Sequence, residues 1–292
     1  MSSLQLLDLQ GFDLDLSYKS SVFAKSSTPP IYTINAYNAP QHLGSGVLFE
    51  FQNQIFFITA GHIFEDRKID DMLIPTSMRF EEILGEVYIT APSLPSLKYE
   101  NEILVDSLDL AIIRLEKKVA DALKIDYSFL GISNVELGHQ QKYFGQEENK
   151  ISDYYFVFGF PATKIKSKNQ HWIAEPLFFF AFNTINHFKN KRLHVDRFHY
   201  HLFVNYTKKM TNQVTKAKQK LPALEGMSGG GLWDFVGYDI NKNEPVLKLV
   251  GIMIEYRRDF IISTKIDYAI ALIREKFNLP KLPIPRIPIS FS

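Results

Sequence analysis

No cysteine occurs among the 292 residues. That excludes disulfides, thiol nucleophiles and zinc–thiolate sites together, and it suits a reducing compartment. An excess of one charge is also missing: 33 Lys and Arg face 32 Asp and Glu, for a net charge of +1. Composition therefore gives no reason to expect binding to nucleic acid or to a membrane surface. Long hydrophobic runs are absent too. The most apolar window, Pro176-Leu-Phe-Phe-Phe-Ala-Phe182, falls far short of the roughly 20 residues that cross a bilayer as a helix. The first ten residues hold neither a basic n-region nor an uninterrupted apolar h-region. The expectation is a soluble, cytoplasmic protein.

What is present is hydrophobic and β-prone. With 46% hydrophobic residues, global disorder is excluded, and the length suits two domains or one body with two cores. Val47–Phe51 and Ile55–Thr59 are apolar runs joined by the polar Gln52-Asn53-Gln54, a hairpin pattern. Gly85–Thr90, Leu108–Leu115, Tyr154–Phe160, Leu177–Phe182, Phe198–Tyr206, Leu232–Phe235 and Val246–Ile254 also read as strands. Many short strands at this spacing predict an all-β barrel or sandwich. One helix is predicted late, where Ile266, Ala269, Ile270, Ile273 and Phe277 recur at helical spacing. A tail with Pro280, Pro283, Pro285 and Pro288 follows it, and Ser26–Pro30 reads as a loop.

The chemistry concentrates at Glu225-Gly226-Met227-Ser228-Gly229-Gly230-Gly231-Leu232. Glycines this dense keep side chains away and permit torsions closed to other residues. Such a loop can present one hydroxyl and aim its own N–H groups at a single point, as acyl transfer requires of a nucleophile beside an oxyanion hole. A serine hydroxyl needs a base within hydrogen-bond reach. A histidine near its ordinary pKa can take that proton and return it to a leaving amine.

Three segments in order resemble the chymotrypsin/trypsin-like serine peptidases. Thr59-Ala60-Gly61-His62 is similar to the family's TA[AG]H box, Asp109-Leu-Ala-Ile-Ile-Arg-Leu115 to its D-[IL]-A-[LI]-[LI]-x-L strand, and Gly226-Met227-Ser228-Gly229-Gly230 to G-[DN]-S-G-G. Gly44-Ser45-Gly46 before His62 and Val250-Gly251-Ile252 after Ser228 add weaker matches, so the resemblance spans about residues 40–275. It implies His62 as general base, Asp109 as its carboxylate, Ser228 as nucleophile and the N–H groups of Gly226 and Ser228 as oxyanion donors, with no cofactor and no metal. It also implies an all-β fold of two packed six-stranded barrels. The expected division is an N-terminal extension (1–40), a first barrel with His62 and Asp109 (41–130), a second with Ser228 (131–265), and a C-terminal helix with the Pro-rich tail (266–292).

Departures from the pattern carry information. Secreted members have Asp before the serine, where it pairs with a freshly cut N-terminus; Met227 cannot bind an ammonium, and no Ile-Val-Gly-Gly start is present. Together with the missing cysteines this points to bacterial-type intracellular members and away from activation by N-terminal cleavage. Gly231 stands where proline is usual and is expected to be tolerated. By the same resemblance the residues before the oxyanion glycine line the primary pocket. Pro222 would lie at its base, with Ala223, Ile254 and Tyr256 as further walls, which favours an apolar side chain before the scissile bond. Glu255 or Asp259, turned inward, would instead favour a basic one. The function implied is that of a serine endopeptidase acting on protein or peptide substrates. A regulatory protein partner would restrain it. A silent scaffold used for binding, or an esterase or acyl-transferase on the same triad, are the alternatives.

Other residues are read plainly. Asp106 competes with Asp109 but does not directly precede the apolar strand, and Ser45 in Gly44-Ser45-Gly46, which could pass for a nucleophile loop, reads as a strand entry. His194, His199 and His201 lack a carboxylate pattern and read as packed or solvated. The five lysines between Thr207 and Lys220 read as a solvated loop leading into Ser228, with an acidic partner the other reading. Pro280–Pro283 and Pro285–Pro288 fit P-x-x-P, and a tail packed on its own barrel is preferred to a docking ligand.

Overall fold

Gln52 and Asn53 both adopt positive φ, 51° and 60°, the backbone a two-residue turn needs if its twist is to match the flanking strands. The hairpin predicted there forms as β3 and β4 below. The computed structural model describes residues 14–65, 67–90, 108–140, 154–168, 171–182, 200–206, 209–211, 218–220, 223–257 and 260–284.

In the first half, helix α1 (Leu14–Ser27) is followed by β1 (Pro30–Ile34), β2 (Pro40–Ser45), β3 (Val47–Phe51), β4 (Gln54–Ala60), β5 (Leu73–Pro75), β6 (Phe80–Glu82), β7 (Gly85–Ile89), β8 (Leu110–Leu115) and helix α2 (Lys117–Leu123). The second half holds β9 (Tyr154–Gly159), β10 (Ile165–Lys168), β11 (His171–Ala174), β12 (Leu177–Phe182), β13 (His201–Asn205), β14 (Lys209–Thr211), β15 (Lys218–Lys220), β16 (Gly231–Asp239), β17 (Glu244–Arg257), β18 (Phe260–Lys265) and helix α3 (Ile266–Lys276).

The first half is built from two four-stranded sheets, β2-β1-β5-β6 and β3-β4-β8-β7. The second is one six-stranded antiparallel sheet in the order β12-β9-β16-β17-β18-β13, flanked by the hairpins β10-β11 and β14-β15. Its edge strands β12 and β13 approach one another, but no hydrogen-bonded ladder joins them, and among the described residues no barrel closes. The lysine stretch, expected as a loop, contributes the short hairpin Lys209–Thr211 against Lys218–Lys220.

Strand alternation explains why these sequences are apolar on both faces. On β4, Phe56 and Ile58 enter one core while Ile55, Phe57 and Ala60 enter another. Strand β8 splits the same way, with Leu110 and Ile112 opposed to Ala111, Ile113 and Leu115. On β9, Phe156 and Phe158 share the core of Phe56, while Tyr155 and Val157 face a third core with Met227 and Met253. One core thus lies inside the second half, one lies mainly in the first half but takes in Phe203, Ile254 and Ile262, and the central one is shared by both. Each fully buried Phe or Leu contributes about 1.5–3 kcal/mol, so burial in the central core holds the halves together at their seam.

The helices close this seam. Helix α1 buries Leu16 and Ala24, and Phe23 packs edge-on to Trp233 with ring centroids 5.7 Å apart. Helix α3 forms where its periodicity predicts and buries Ile266, Ala269, Ile270 and Ile273 in the central core. Asp267 in its first turn accepts the Gly138 N–H at 2.6 Å, tying the connection between the halves to the helix. Beyond α3, Leu279 and Leu282 are buried, and Arg274 Nε donates to the Leu282 carbonyl at 3.2 Å. The first P-x-x-P therefore packs on its own chain; the second lies outside the described residues. No described helix is long and apolar enough to cross a membrane.

Candidate active site

Strand β4 ends at Ala60, and the chain turns at once into a short 3-10 helix, Gly61–Phe64. This turn throws His62 to the rim of the seam. Asp109 sits just before β8, the hydrogen-bonded neighbour of β4, with Ala60 opposite Leu110. The two residues are therefore brought together by sheet register and not by proximity in sequence.

Asp109 has φ +47°, a left-handed backbone unusual outside glycine, and it is buried. Three hydrogen bonds fix that strained backbone. Its carbonyl accepts the Gly61 N–H at 2.8 Å. Its carboxylate accepts the His62 backbone N–H at Oδ1 and faces His62 Nδ1 at Oδ2, both at 2.7 Å. An ionised carboxylate only accepts, so Nδ1 carries the proton and Nε2 is left as the basic nitrogen. Burial pushes the His62 pKa down, but the Asp109 hydrogen bond and charge, with the charges of Glu65 and Glu255, outweigh it and leave the pKa raised. His62 remains one-third exposed (33%) while Asp109 is closed off (3%). That suits a base that meets substrate and a partner that does not.

Ser228 is presented by a loop with little freedom. Met227 N–H donates to the Leu224 carbonyl at 3.0 Å and Gly230 N–H to the Met227 carbonyl at 2.9 Å. Strand β17 grips the loop on both sides: Gly229 N–H donates to the Met253 carbonyl and Met253 N–H to the Gly230 carbonyl, at 2.7 and 2.8 Å. Gly226 and Gly229 take φ of +86° and +84°, which L side chains rarely adopt. A Cβ on Gly229 would fall 1.9 Å from the Ser45 carbonyl oxygen. The backbone N–H groups of Gly226 and Ser228 make no backbone hydrogen bond among the described residues. Met227 is buried in the second-half core beside Leu224 and Met253; apolar contact seats the loop here. Ser228 is half-buried, and no hydrogen bond joins its hydroxyl to His62 among the described residues. Such bonds are often long before substrate binds.

Two neighbours escaped sequence reasoning. Ser45 N–H donates to the Ser228 carbonyl at 2.7 Å. His42 stands directly behind Gly226: a Cβ on that glycine would meet its Nδ1 at 2.7 Å. Both His42 ring nitrogens are closed to solvent, its ring packs edge-on to Tyr32 at 5.4 Å, and burial drives its pKa down to about 4 against the opposing effect of the Gly44 backbone. The Gly-Ser-Gly triplet was the only signal for Ser45, and nothing in the sequence singles out His42.

The expected pocket residues are dispersed. Ala223 is exposed, and Pro222 and Asp259 lie outside the described residues. Ile254 is buried in the first-half core with Ala60 and Ile63. Tyr256 packs edge-on to Tyr206 at 5.2 Å. Glu255 is half-buried and close enough to His62 to act on its charge. Of the three histidines weighed for a metal, His201 is buried between Tyr200 and Phe203; His194 and His199 lie outside the described residues. A separate cluster, Glu136, His139 and Asp234, brings together groups that could hold a metal. Its His139 is engaged by Glu136 at 3.1 Å and by the Tyr155 hydroxyl at 2.8 Å.

No known protein family matches the chain, and no curated protein does either. Similar solved structures include the protease domain of MamO from Magnetospirillum magneticum, at 12% identity over 85% of this chain and 96% of that one, with a TM-score of 0.43. Another is neuropsin, a serine protease of mouse brain, at 13% identity over 87% and 96%, with a TM-score of 0.49. Likeness this loose does not bear on function, which rests on the side-chain geometry.

Proposed function

We propose that the chain is a trypsin-like serine endopeptidase of two β-rich halves, divided at about residues 40, 130 and 265, working in the cytoplasm without a cofactor. The observation that carries this reading is the double grip of Asp109 on His62, at its backbone N–H and at Nδ1, both 2.7 Å. A carboxylate buried against a surface histidine in this way holds one tautomer and leaves Nε2 to act as a base.

In the proposed reaction His62 Nε2 takes the Ser228 hydroxyl proton as Oγ attacks the scissile carbonyl. The resulting oxyanion is held by the N–H groups of Gly226 and Ser228, a contribution of about 3–4 kcal/mol per donor in enzymes of this kind. The protonated His62 then gives its proton to the departing amine, leaving an acyl group on Ser228. Water, activated by the same nitrogen, releases the acid and restores the enzyme. Asp109 stays ionised throughout and stabilises the transient imidazolium. The burial of Met227 supports a site competent without N-terminal cleavage. For the side chain before the scissile bond the proposal keeps the apolar preference that the sequence resemblance implies, although Ala223, Ile254 and Tyr256 do not come together as one pocket. A regulatory protein partner would restrain the enzyme.

Hydrolysis of a diverse peptide library, read by mass spectrometry, tests the proposal. Cleavage after uncharged residues that disappears in Ser228→Ala is expected. Turnover of simple esters without any peptide cleavage would favour an esterase, and cutting after Arg or Lys would assign the specificity to Glu255 or Asp259. Wild-type rates in Ser228→Ala would end the proposal.

A further inference from the structure

Ser45 is fully buried at the end of β2, and each of its polar groups reaches a different part of the site. Its N–H donates to the Ser228 carbonyl at 2.7 Å. Its carbonyl accepts the Thr59 hydroxyl at 2.6 Å. Its own Oγ accepts the Phe160 N–H at 3.0 Å. Thr59 lies on β4 three residues before His62, and Phe160 follows β9 at the start of the turn whose Ala162 N–H donates to the Glu225 carbonyl at 2.7 Å. One residue therefore ties the strand that carries His62, the strand end that backs Glu225, and the loop that carries Ser228.

The surroundings give this link no slack. A Cβ on Gly229 would meet the Ser45 carbonyl at 1.9 Å and Thr59 Oγ1 at 2.1 Å, and one on Gly159 would meet Ser45 Oγ at 3.3 Å. The Thr59 hydroxyl therefore reaches the serine loop through one residue, by the Ser45 carbonyl and then the Ser45 N–H, with the glycine behind the nucleophile pressed on the carbonyl and the hydroxyl. His62 and Ser228 come from different halves of the chain, and nothing among the described hydrogen bonds joins their side chains. Their relative position must be set by the backbone that carries them.

We propose that Ser45, through the Thr59 hydroxyl on one side and the Ser228 carbonyl on the other, is the positioning residue that sets the nucleophile against its base. The inference rests on the serine-peptidase reading above. Ser45 touches no substrate; it acts through Ser228 and Thr59. Displacement of a reacting atom by about 1 Å costs on the order of 100-fold in rate, so loosening this link lowers the rate of attack more than it lowers binding.

The test uses the full chain and four forms: wild type, Thr59→Val, Thr59→Ser and Ser45→Ala. Valine keeps the shape of threonine without the hydroxyl, whereas serine keeps the hydroxyl without the methyl. Labelling by a fluorophosphonate gives both the fraction of molecules that react and the rate constant of those that do; peptide hydrolysis gives kcat and KM. Thr59→Val is expected to lose about 10- to 100-fold in rate constant and kcat with KM within about twofold, while Thr59→Ser stays near wild type. So does Ser45→Ala, which keeps the backbone N–H and carbonyl of the link and loses only the bond from the Phe160 N–H. The acid limb of the pH profile should not move, because the Asp109–His62 pair is untouched. A residue that merely supports folding would lower the melting temperature or the reactive fraction and leave the rate constant alone. If Ser45→Ala does not fold, Thr59→Val decides. A Thr59→Val rate constant equal to wild type overturns this inference alone, and a wild type inert to both probes overturns the peptidase reading and this inference with it.

Discussion

Replacing Asp109 by Asn probes the site at its most constrained point. The substitution preserves size, so the carbonyl that holds Gly61 N–H and an oxygen for the His62 N–H can both remain. The group 2.7 Å from His62 Nδ1 changes from a pure acceptor to an amide. Turned with its NH2 toward Nδ1, that amide makes Nδ1 the acceptor, moves the imidazole proton to Nε2 and abolishes the base. The expected loss in kcat is about 10⁴-fold, or roughly 5.5 kcal/mol of transition-state stabilisation. The pH profile gives a second readout. His62 has a raised pKa, sustained by Asp109 against burial, so in the wild type the base form is lost as pH falls through a value above the ordinary histidine range. Without the carboxylate the acid limb of the residual activity should move to lower pH. The same pair links to folding: its stabilisation is complete below the unfolded histidine pKa and is lost as pH rises through the folded one. Steady-state kinetics between pH 5 and 9, with urea unfolding of both proteins, measures all three effects. Activity within tenfold of wild type, or an acid limb that does not move, would refute the assignment of Asp109.

Other perturbations separate packing from chemistry. Met227→Ala removes a fully buried side chain from the second-half core and should cost about 2–5 kcal/mol of stability by urea titration, with activity falling as the serine loop loosens. Gly229→Ala places a methyl 1.9 Å from a backbone oxygen at φ +84°; it should lose more than about 2 kcal/mol of stability and essentially all activity, whereas a wild-type melting temperature would show the loop to be differently built. Glu136 has its pKa lowered, chiefly by the hydrogen bond to His139 and helped by the charges of His139 and Lys248, against the opposing effect of burial. That stabilisation is present above the unfolded carboxylate pKa and lost as pH falls through the folded one, so Glu136→Gln should flatten the acid slope of stability, measured by unfolding from pH 6 to 3.

His62, Asp109 and Ser228 were singled out in the sequence by three short ordered boxes; the structure brings His62 and Asp109 together at 2.7 Å, whereas the left-handed backbone of Asp109 leaves no mark in the sequence. The β3–β4 hairpin and helix α3 were legible because their signals are local, two turn residues in one case and helical spacing in the other. Ser45 and His42 were not, since their importance lies in contacts with residues more than 100 positions away. The membership of β1 in the first sheet was hidden for the same reason: Tyr32 pairs with His42 and Leu73, and the sequence prints no pairing. Alternation marks Met253 and Ile254 as apolar without saying which core each enters. They enter different ones, Met253 behind the serine loop and Ile254 beneath His62.

The central claim is that Ser228 is a nucleophile activated by His62, and the identity of the residue modified by a fluorophosphonate tests it most directly. Wild-type protein, exposed to the probe and digested for mass spectrometry, should carry one adduct on the peptide containing Ser228. Ser228→Ala should carry none, and His62→Ala should label far more slowly with its fold intact. A folded wild type that takes no label, or an adduct that persists in Ser228→Ala, would contradict the account.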